Sequence, residues 1–239
     1  YMLNDIIDLE HDRSHPRKRL RPIAAGDLSI VNASILMPVL ILAGFIVGLA
    51  VSTTFLLMLT LYLFLTTVYS TKLKSIPIID IILLSVLYSL RVVAGGESST
   101  VDLSFWLIAF STLFFLTLAA VKRQAELVDV VHRGLLSVIG RGYQSSDLPI
   151  INIIALGSGF AAIQVLALYI NSEEIKMLYQ HPKFLWGICF ILLYWVIRLV
   201  LITSRGSMSD DPIVFTIKDK ASYVCLAFIS ILLLLGIGL

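Results

Sequence analysis

The sequence predicts an all-α integral membrane protein with about seven membrane-spanning helices. Hydrophobic residues make up 58% of the chain and charged residues only 14%, and the mean hydropathy is +0.94. The apolar residues fall into seven segments, each close to the roughly 20 residues with which a helix crosses a bilayer. A soluble domain does not show this composition and segmentation together. We place the segments at about 30–51, 53–69, 76–94, 103–121, 149–170, 184–203 and 221–239.

The basic residues predict how these helices are oriented. Of the 18 Arg and Lys residues, 14 lie in the four connections on one side, at 4–29, 70–75, 122–148 and 204–220. Only Lys176 and Lys183 lie in the connections on the other side. Because Arg and Lys accumulate in cytoplasmic loops, we expect the four charged connections to be cytoplasmic.

The first connection carries an ordered run of charges. Asp5, Asp8 and Asp12 are spaced so that they stack on a helix, where three carboxylates repel one another unless a cation lies between them. Mg²⁺ prefers oxygen ligands and is often shared between carboxylates and a substrate phosphate. The Arg and Lys residues that follow bind phosphate oxygens well, and Pro16 and Pro22 should end the helix and hold them beside the acids. The run predicts a site for Mg²⁺ and a diphosphate. The alternative is a charged loop that only sets the topology, and the ordered spacing argues against it.

A second charged run begins where the fourth apolar segment ends. Lys122 and Arg123 come first, and Glu126 and Asp129 follow at a spacing of three residues, which places both acids on one helical face. Such a pair, facing the first run, would hold a second cation or the other side of one diphosphate. The alternative for so short a run is a solvated helix end.

Two charged residues, Asp80 and Arg91, fall inside the third predicted span. Ionisable groups in spans usually face the interior of a helix bundle and serve function. Alternatively, Arg91 extends its side chain to the outer interface and Asp80 caps the start of the helix. The sequence leaves both alternatives open.

These motifs resemble those of one known family. The pattern N-D-x-x-D-x-x-x-D at 4–12, followed by R-x-H-P-x-K-R-x-R-P at 13–22, resembles the first acidic motif of the UbiA superfamily of intramembrane prenyltransferases. It is most similar to the branch that includes decaprenyl-phosphate phosphoribosyltransferase. The segments at 69–74, 80, 91–96 and 122–127 are similar as well. The chain also resembles one subgroup of this family at 140–143, 147–149, 167–172 and 210–212. In that subgroup the transferase often follows a HAD-type phosphatase domain.

The resemblance implies a UbiA-type helical bundle of nine helices around a cavity that opens to the cytoplasm and to lipid. It implies one transferase domain over 1–239 that lacks the first helix and most of the second. A bacterial inner or cell membrane is the expected location, with the active-site loops in the cytoplasm. The expected partners are membrane lipids, a polyprenyl lipid substrate, a diphosphate-bearing donor and an N-terminal HAD phosphatase domain in the full chain. Self-association stays open, and nothing in the sequence indicates binding to nucleic acid.

The resemblance also implies roles for individual residues. The residues expected to be catalytic are Asp5, Asp8, Asp12, Glu126 and Tyr69, of which the three aspartates would bind Mg²⁺. The residues expected to contact the substrate or its diphosphate are Asn4, Arg13, His15, Lys18, Arg19, Arg21, Lys74, Arg91, Lys122, Arg123 and Asp129.

Three functions compete on this basis. The leading hypothesis is Mg²⁺-dependent transfer of 5-phosphoribosyl from phosphoribosyl diphosphate to a polyprenyl phosphate. The second is transfer of a polyprenyl group from its diphosphate to an aromatic or other acceptor. Aromatic prenyltransferases of the family carry a second D-x-x-x-D where this chain has Glu126 with Asp129, which favours the first hypothesis. The third, a transporter or lipid-binding protein with Asp80 and Arg91 as an ion path, predicts internal repeats that are not evident. It also leaves the three aspartates unexplained.

Overall fold

The computed structural model describes residues 2–14, 18–99, 103–138, 140–208 and 211–238. Within these ranges the chain forms α-helices, short 3-10 turns and a single isolated β-bridge between Ser137 and Gln144. The α-helices are α1 (Met2–Ile7), α2 (Leu9–Ser14), α3 (Pro22–Ala25), α4 (Ile30–Val51), α5 (Thr53–Thr71), α6 (Ile79–Ser99), α7 (Phe105–His132), α8 (Leu148–Ile170), α9 (Glu173–Leu178), α10 (Trp186–Ser204), α11 (Pro212–Lys218) and α12 (Lys220–Ile237).

The long helices confirm the predicted all-α membrane architecture. In the part of the chain that the structure describes, seven helical segments are long and apolar enough to cross a membrane. They contain α4, α5, α6, α7, α8, α10 and α12, and they lie where the apolar segments of the sequence predict them. The chain is an integral membrane protein.

Three helix boundaries differ from the prediction by three residues or more. The helix α6 ends at Ser99 instead of 94, and the other two differences have local reasons. The helix α7 continues to His132 instead of ending near 121, because ion pairs between side chains three and four residues apart support its charged last turns. The helix α6 begins at Ile79 instead of 76, because a turn follows the 3-10 helix Leu73–Ser75. In that turn Ile78 has a φ of +68°, in the left-handed region.

The chain divides into two compact units. The first contains α1 to α5, both ends of α6 and the loop at 140–143. In it α4 and α5 pack together, and α1 contacts both. Ser52 joins the two long helices: its backbone N–H donates to the Gly48 carbonyl at 3.3 Å, and its hydroxyl accepts from the Phe55 N–H at 3.0 Å. At the other end of α5, Lys74 follows the helix and pairs with Asp8, which lies between α1 and α2.

The second unit contains α7 to α12 and the middle of α6. In it α7 runs along α8, and α10 packs against α7, α8 and α12. Thr117 and Ser158 share a hydroxyl hydrogen bond of 2.9 Å, and a Cβ at Gly159 would lie only 2.6 Å from Cγ1 of Val196. Small residues let membrane helices approach closely, and here they bring three of them together. The single transferase domain over 1–239 stays a prediction.

Candidate active site

The three aspartates of the first charged run keep a helical spacing. The helices α1 and α2 are interrupted only at Asp8. The Asp8 N–H donates to the Asn4 carbonyl at 2.9 Å, and the Asp12 N–H donates to the Asp8 carbonyl at 2.8 Å. The hydrogen bonds of a helix therefore continue through the interruption, and the carboxylates recur at successive turns.

Arg21 bridges two of these carboxylates. Its Nη1 donates to Oδ1 of Asp5 at 3.0 Å and to Oδ2 of Asp12 at 2.7 Å. Asp12 is only 2% exposed. Burial raises the pKa of the Asp5 carboxyl above its ordinary value, although the charge of Arg21 opposes this rise. Further positive charge at this point would therefore be favourable.

Lys74 holds the third carboxylate. Its Nζ donates to Oδ1 of Asp8 at 2.5 Å and to Oδ1 of Asn4 at 3.3 Å, and Nδ2 of Asn4 donates to the other Asp8 oxygen at 3.1 Å. Lys74 is buried and comes from the 3-10 helix after α5. We call Asn4, Asp5, Asp8, Asp12, Arg21 and Lys74 the first charged cluster.

The donor atoms of the first charged cluster suit Mg²⁺. They are carboxylate and amide oxygens, the hard ligands that this ion takes. The Arg21 nitrogen already lies between two carboxylate oxygens, at a point where a cation can be bound. Across the described ranges, however, no three His, Cys, Asp or Glu side chains are arranged to hold a metal. Mg²⁺ at Asp5, Asp8 and Asp12 stays a prediction, and it requires Arg21 to move.

The other basic residues of the first motif differ in their exposure. Arg13 and Arg19 are exposed, and Lys18 is half-buried in the 3-10 helix Lys18–Leu20. His15 and Pro16 lie outside the described residues. The expectation that Pro22 ends a helix is wrong, because Pro22 is the first residue of α3. Proline is well suited to that position, where its missing N–H would have no partner in the helix.

A buried trio of polar side chains lies in the same unit. Asp80 is fully buried. Its Oδ1 accepts from the Tyr69 hydroxyl at 2.8 Å and from Nη1 of Arg141 at 3.0 Å, and the same Arg141 nitrogen is 3.3 Å from the Tyr69 oxygen. Asp80 is thus a partner in a tertiary ion pair and not simply a helix cap.

Arg91, the other charge in this span, has a different partner. Its guanidinium lies 5.0 Å from the centre of the Tyr62 ring, and its Nε donates to the Tyr62 hydroxyl at 3.0 Å. Arg91 is exposed on α6. Its role as a substrate contact stays a prediction, as does the role of Tyr69 at the reacting centre.

Sequence reasoning gave Arg141 no role. It is separated from Asp80 by 61 positions, and no periodicity links two residues at that distance. Chemistry could have indicated this partner. A carboxylate inside a span needs a cation, and an arginine between two glycines in a loop can supply one.

The second charged run forms a second charged cluster, defined as Lys122, Arg123, Glu126, Asp129, Arg133 and Asp211. Arg123 is fully buried and pairs with Glu126 one turn along α7. Asp129 pairs with Arg133 at 3.3 Å on the exposed end of the same helix. Lys122 pairs with Oδ2 of Asp211 at 2.5 Å, a contact that the sequence did not predict. The other oxygen of Asp211 accepts from the Ile213 N–H at 3.0 Å and caps α11.

Comparison with known proteins identifies the family. Residues 1–132 match the model of the UbiA prenyltransferase family. The nodulation protein NoeC of Azorhizobium caulinodans is 31% identical over 229 residues, which are 95% of this chain and 74% of NoeC. The uncharacterized protein y4nM of Sinorhizobium fredii is 35% identical over 231 residues, which are 96% of this chain and 45% of that protein.

A further relative is named for its reaction. The decaprenyl-phosphate phosphoribosyltransferase of Mycolicibacterium smegmatis is 35% identical over 130 residues, which are 53% of this chain and 40% of that enzyme. The chain thus spans less than half the length of this enzyme and of the Sinorhizobium protein. Since the family model covers more than half of the chain and NoeC aligns along nearly all of it, the chain belongs to the UbiA prenyltransferase family of membrane transferases.

Proposed function

We propose that this protein is a Mg²⁺-dependent transferase that displaces diphosphate from a donor, and that it moves 5-phosphoribosyl from phosphoribosyl diphosphate to a polyprenyl phosphate. The observation that carries the proposal is the first charged cluster. It places three acids and two cations in one small volume, and each cation already contacts an oxygen anion.

The charges of this cluster suit an exchange of partners. A diphosphate would be repelled by the aspartates alone. With Mg²⁺ bound to the aspartates, Arg21 and Lys74 would be released to donate to the phosphate oxygens instead. Bound Mg²⁺ neutralises the charge that develops on a leaving diphosphate. Arg21 suits this role because its planar guanidinium can contact two phosphate oxygens at once, as it now contacts two carboxylates.

The proposed reaction needs no general base. The bond between C1 of the ribose and the diphosphate oxygen breaks, and its electron pair leaves with the diphosphate. An oxygen of the polyprenyl phosphate forms the new bond to C1. A phosphate monoester loses its second proton with a pKa of about 6, so its oxygen is already ionised at neutral pH. The residues of the cluster therefore have to bind and orient the donor and exclude water, and not to remove a proton.

The choice of substrate rests on the relatives and on the second charged run. The relatives named decaprenyl-phosphate phosphoribosyltransferase share 35% to 36% identity with about half of the chain. Glu126 with Asp129 takes the place of the second D-x-x-x-D that aromatic prenyltransferases of the family carry. Both observations favour a phosphoribosyl donor.

The proposal includes a location. With the charged connections in the cytoplasm of a bacterial inner membrane, a water-soluble donor would reach the cluster from the cytoplasm and the polyprenyl phosphate would arrive through the lipid. An N-terminal HAD-type phosphatase domain in the full chain would then remove the 5-phosphate from the product.

Transfer of a polyprenyl group to another acceptor is the second candidate. The family model that matches residues 1–132 is named for prenyl transfer, and that reaction also displaces diphosphate. The same acidic cluster would serve it.

The test uses the full-length protein in liposomes with Mg²⁺, radiolabelled phosphoribosyl diphosphate and a polyprenyl phosphate. We expect label to enter the lipid, and Asp8→Asn to abolish this transfer. Lys176→Gln is the matched control, because Lys176 forms an exposed ion pair with Glu173 at 2.7 Å and should not affect transfer. Release of diphosphate from a polyprenyl diphosphate without any transfer of label would replace the proposal by prenyl transfer. Inactivity with both donors would overturn the transferase function.

A further inference from the structure

We infer that Arg141 is a positioning residue of the transferase site, which acts through Asp80 to fix the hydroxyl of Tyr69. The inference rests on the proposed function for its effect on catalysis. It concerns a residue beyond the part of the chain that matches the family model, which ends at 132.

The burial of Asp80 requires a cation. Taking a carboxylate out of water is strongly unfavourable unless it is paired and hydrogen-bonded. The Arg141 side chain, which is 14% exposed, supplies that charge at 3.0 Å. Arg141 is therefore held at Asp80 by a strong constraint.

The loop that carries Arg141 is built to reach this place. Tyr143 is 1% exposed, and its hydroxyl accepts the backbone N–H of Ile78 at 2.9 Å. A Cβ at Gly142 would lie 2.7 Å from Cδ of Pro77 and would also collide with the Ser75 carbonyl. Gly142 and Tyr143 thus contact the turn that joins α5 to α6, and Arg141 beside them contacts the two helices that this turn connects. The contact of Arg141 with Asp80 belongs to this docked loop.

The trio determines the direction of the Tyr69 hydroxyl. Its proton is donated to Asp80, and its oxygen is within reach of the Arg141 guanidinium. A tyrosine with both of these contacts has one preferred ring and hydroxyl orientation. Tyr69 lies near the end of α5, a few residues before Lys74, which holds Asp8. A shift of Tyr69 would therefore be felt at the same turn that supplies a cation to the first charged cluster.

A merely structural ion pair would also explain the contact of Arg141 with Asp80, and a double variant separates the two roles. Arg141→Gln alone leaves a buried carboxylate without this cation, so both thermal stability and kcat should fall. Asp80→Asn with Arg141→Gln removes both charges and should restore most of the thermal stability. If the trio positions Tyr69, kcat stays reduced by about 10-fold or more in the double variant, the order seen when an orienting partner is lost. The KM for the donor should change much less. Recovery of kcat together with stability would overturn the inference.

A second measurement does not depend on activity. 3-Fluorotyrosine placed at position 69 of the full-length protein in detergent should give one narrow ¹⁹F resonance. We expect Arg141→Gln to shift or broaden it. Arg198→Gln is the matched control, because it breaks another arginine–aspartate pair, with Asp219 at 2.7 Å, and should leave the resonance unchanged.

The two measurements also separate this inference from the proposed function. A wild-type protein that transfers neither substrate, but whose ¹⁹F resonance responds to Arg141→Gln, would overturn the proposed function alone. A resonance that does not change in Arg141→Gln would overturn the positioning role, whatever the activity.

Discussion

The two charged clusters both combine acidic side chains with Arg and Lys, but they assemble them differently. In the first, the cations come from elsewhere in the chain: Arg21 reaches Asp5 and Asp12 across 16 and 9 positions, and Lys74 reaches Asp8 across 66. In the second, Arg123 and Arg133 pair with acids three and four residues away on their own helix. Ion pairs between residues three or four positions apart form wherever that segment is helical, and each stabilises the helix slightly.

The difference indicates where chemistry is to be expected. A long-range pair requires the fold to bring its members together, and it can be opened by a ligand without unwinding a helix. A pair along one helix mainly supports that helix. We therefore expect the first cluster to exchange its ion pairs for ligands and the second cluster mainly to stabilise α7. The pair of Lys122 and Asp211 is the exception in the second cluster, because its members come from distant parts of the chain as in the first cluster.

The largest expected effect concerns Arg21. If Arg21 competes with a metal for Asp5 and Asp12, Arg21→Gln should bind Mn²⁺ more tightly, as measured by electron paramagnetic resonance. The same variant should transfer about 100-fold more slowly, the order of loss for one donor to a group that carries developing charge. Weaker Mn²⁺ binding by Arg21→Gln would show that Arg21 supports the cluster and does not compete within it.

An intermediate effect is expected at Asp219, which caps the start of α12 and forms an ion pair with Arg198 of α10. Two hydrogen bonds from Arg198, with further ones from Ser222, lower the pKa of the Asp219 carboxyl from 3.8 to about 2. A carboxyl with a lowered pKa stabilises the fold above its unfolded pKa, and this contribution is lost as the pH falls from about 4 to about 2. It amounts to about 2 kcal/mol.

Thermal unfolding in detergent at several pH values tests this. The wild-type protein should lose stability over this pH range more steeply than Asp219→Asn, which has no proton to gain at that position. Parallel pH profiles of the two proteins would contradict the assignment.

The smallest expected effect is at the exposed end of α7. Arg133 and Asp129 are both about half-exposed, and exposed pairs of this kind contribute little. Arg133→Gln should change the free energy of unfolding by less than about 0.5 kcal/mol and should leave Mn²⁺ binding unchanged. An effect on Mn²⁺ binding would remove the contrast between the two clusters.

Local patterns in the sequence were sufficient for much of the fold. The apolar segments predict the membrane helices, because length and hydropathy are local properties. The spacing of Asp5, Asp8 and Asp12 predicts their helical arrangement for the same reason.

The ion-pair partners of the acidic side chains could not be predicted from local patterns. Nothing local pairs Asp80 with Arg141 or Lys122 with Asp211, which lie 61 and 89 positions apart. The sequence predicts a phosphate contact for Lys74, and this stays a prediction. It did not predict that Lys74 pairs with Asp8, because a basic residue looks the same in a sequence whether its partner is a ligand or a carboxylate.

The turn at Ile78 has a consequence for protein engineering. A β-branched residue at a φ of +68° holds about 1 to 3 kcal/mol of backbone strain. Asparagine accepts this conformation more readily than isoleucine and keeps the N–H that the Tyr143 hydroxyl accepts. A search for a more heat-resistant form of this protein would therefore begin at a residue that no sequence motif marks.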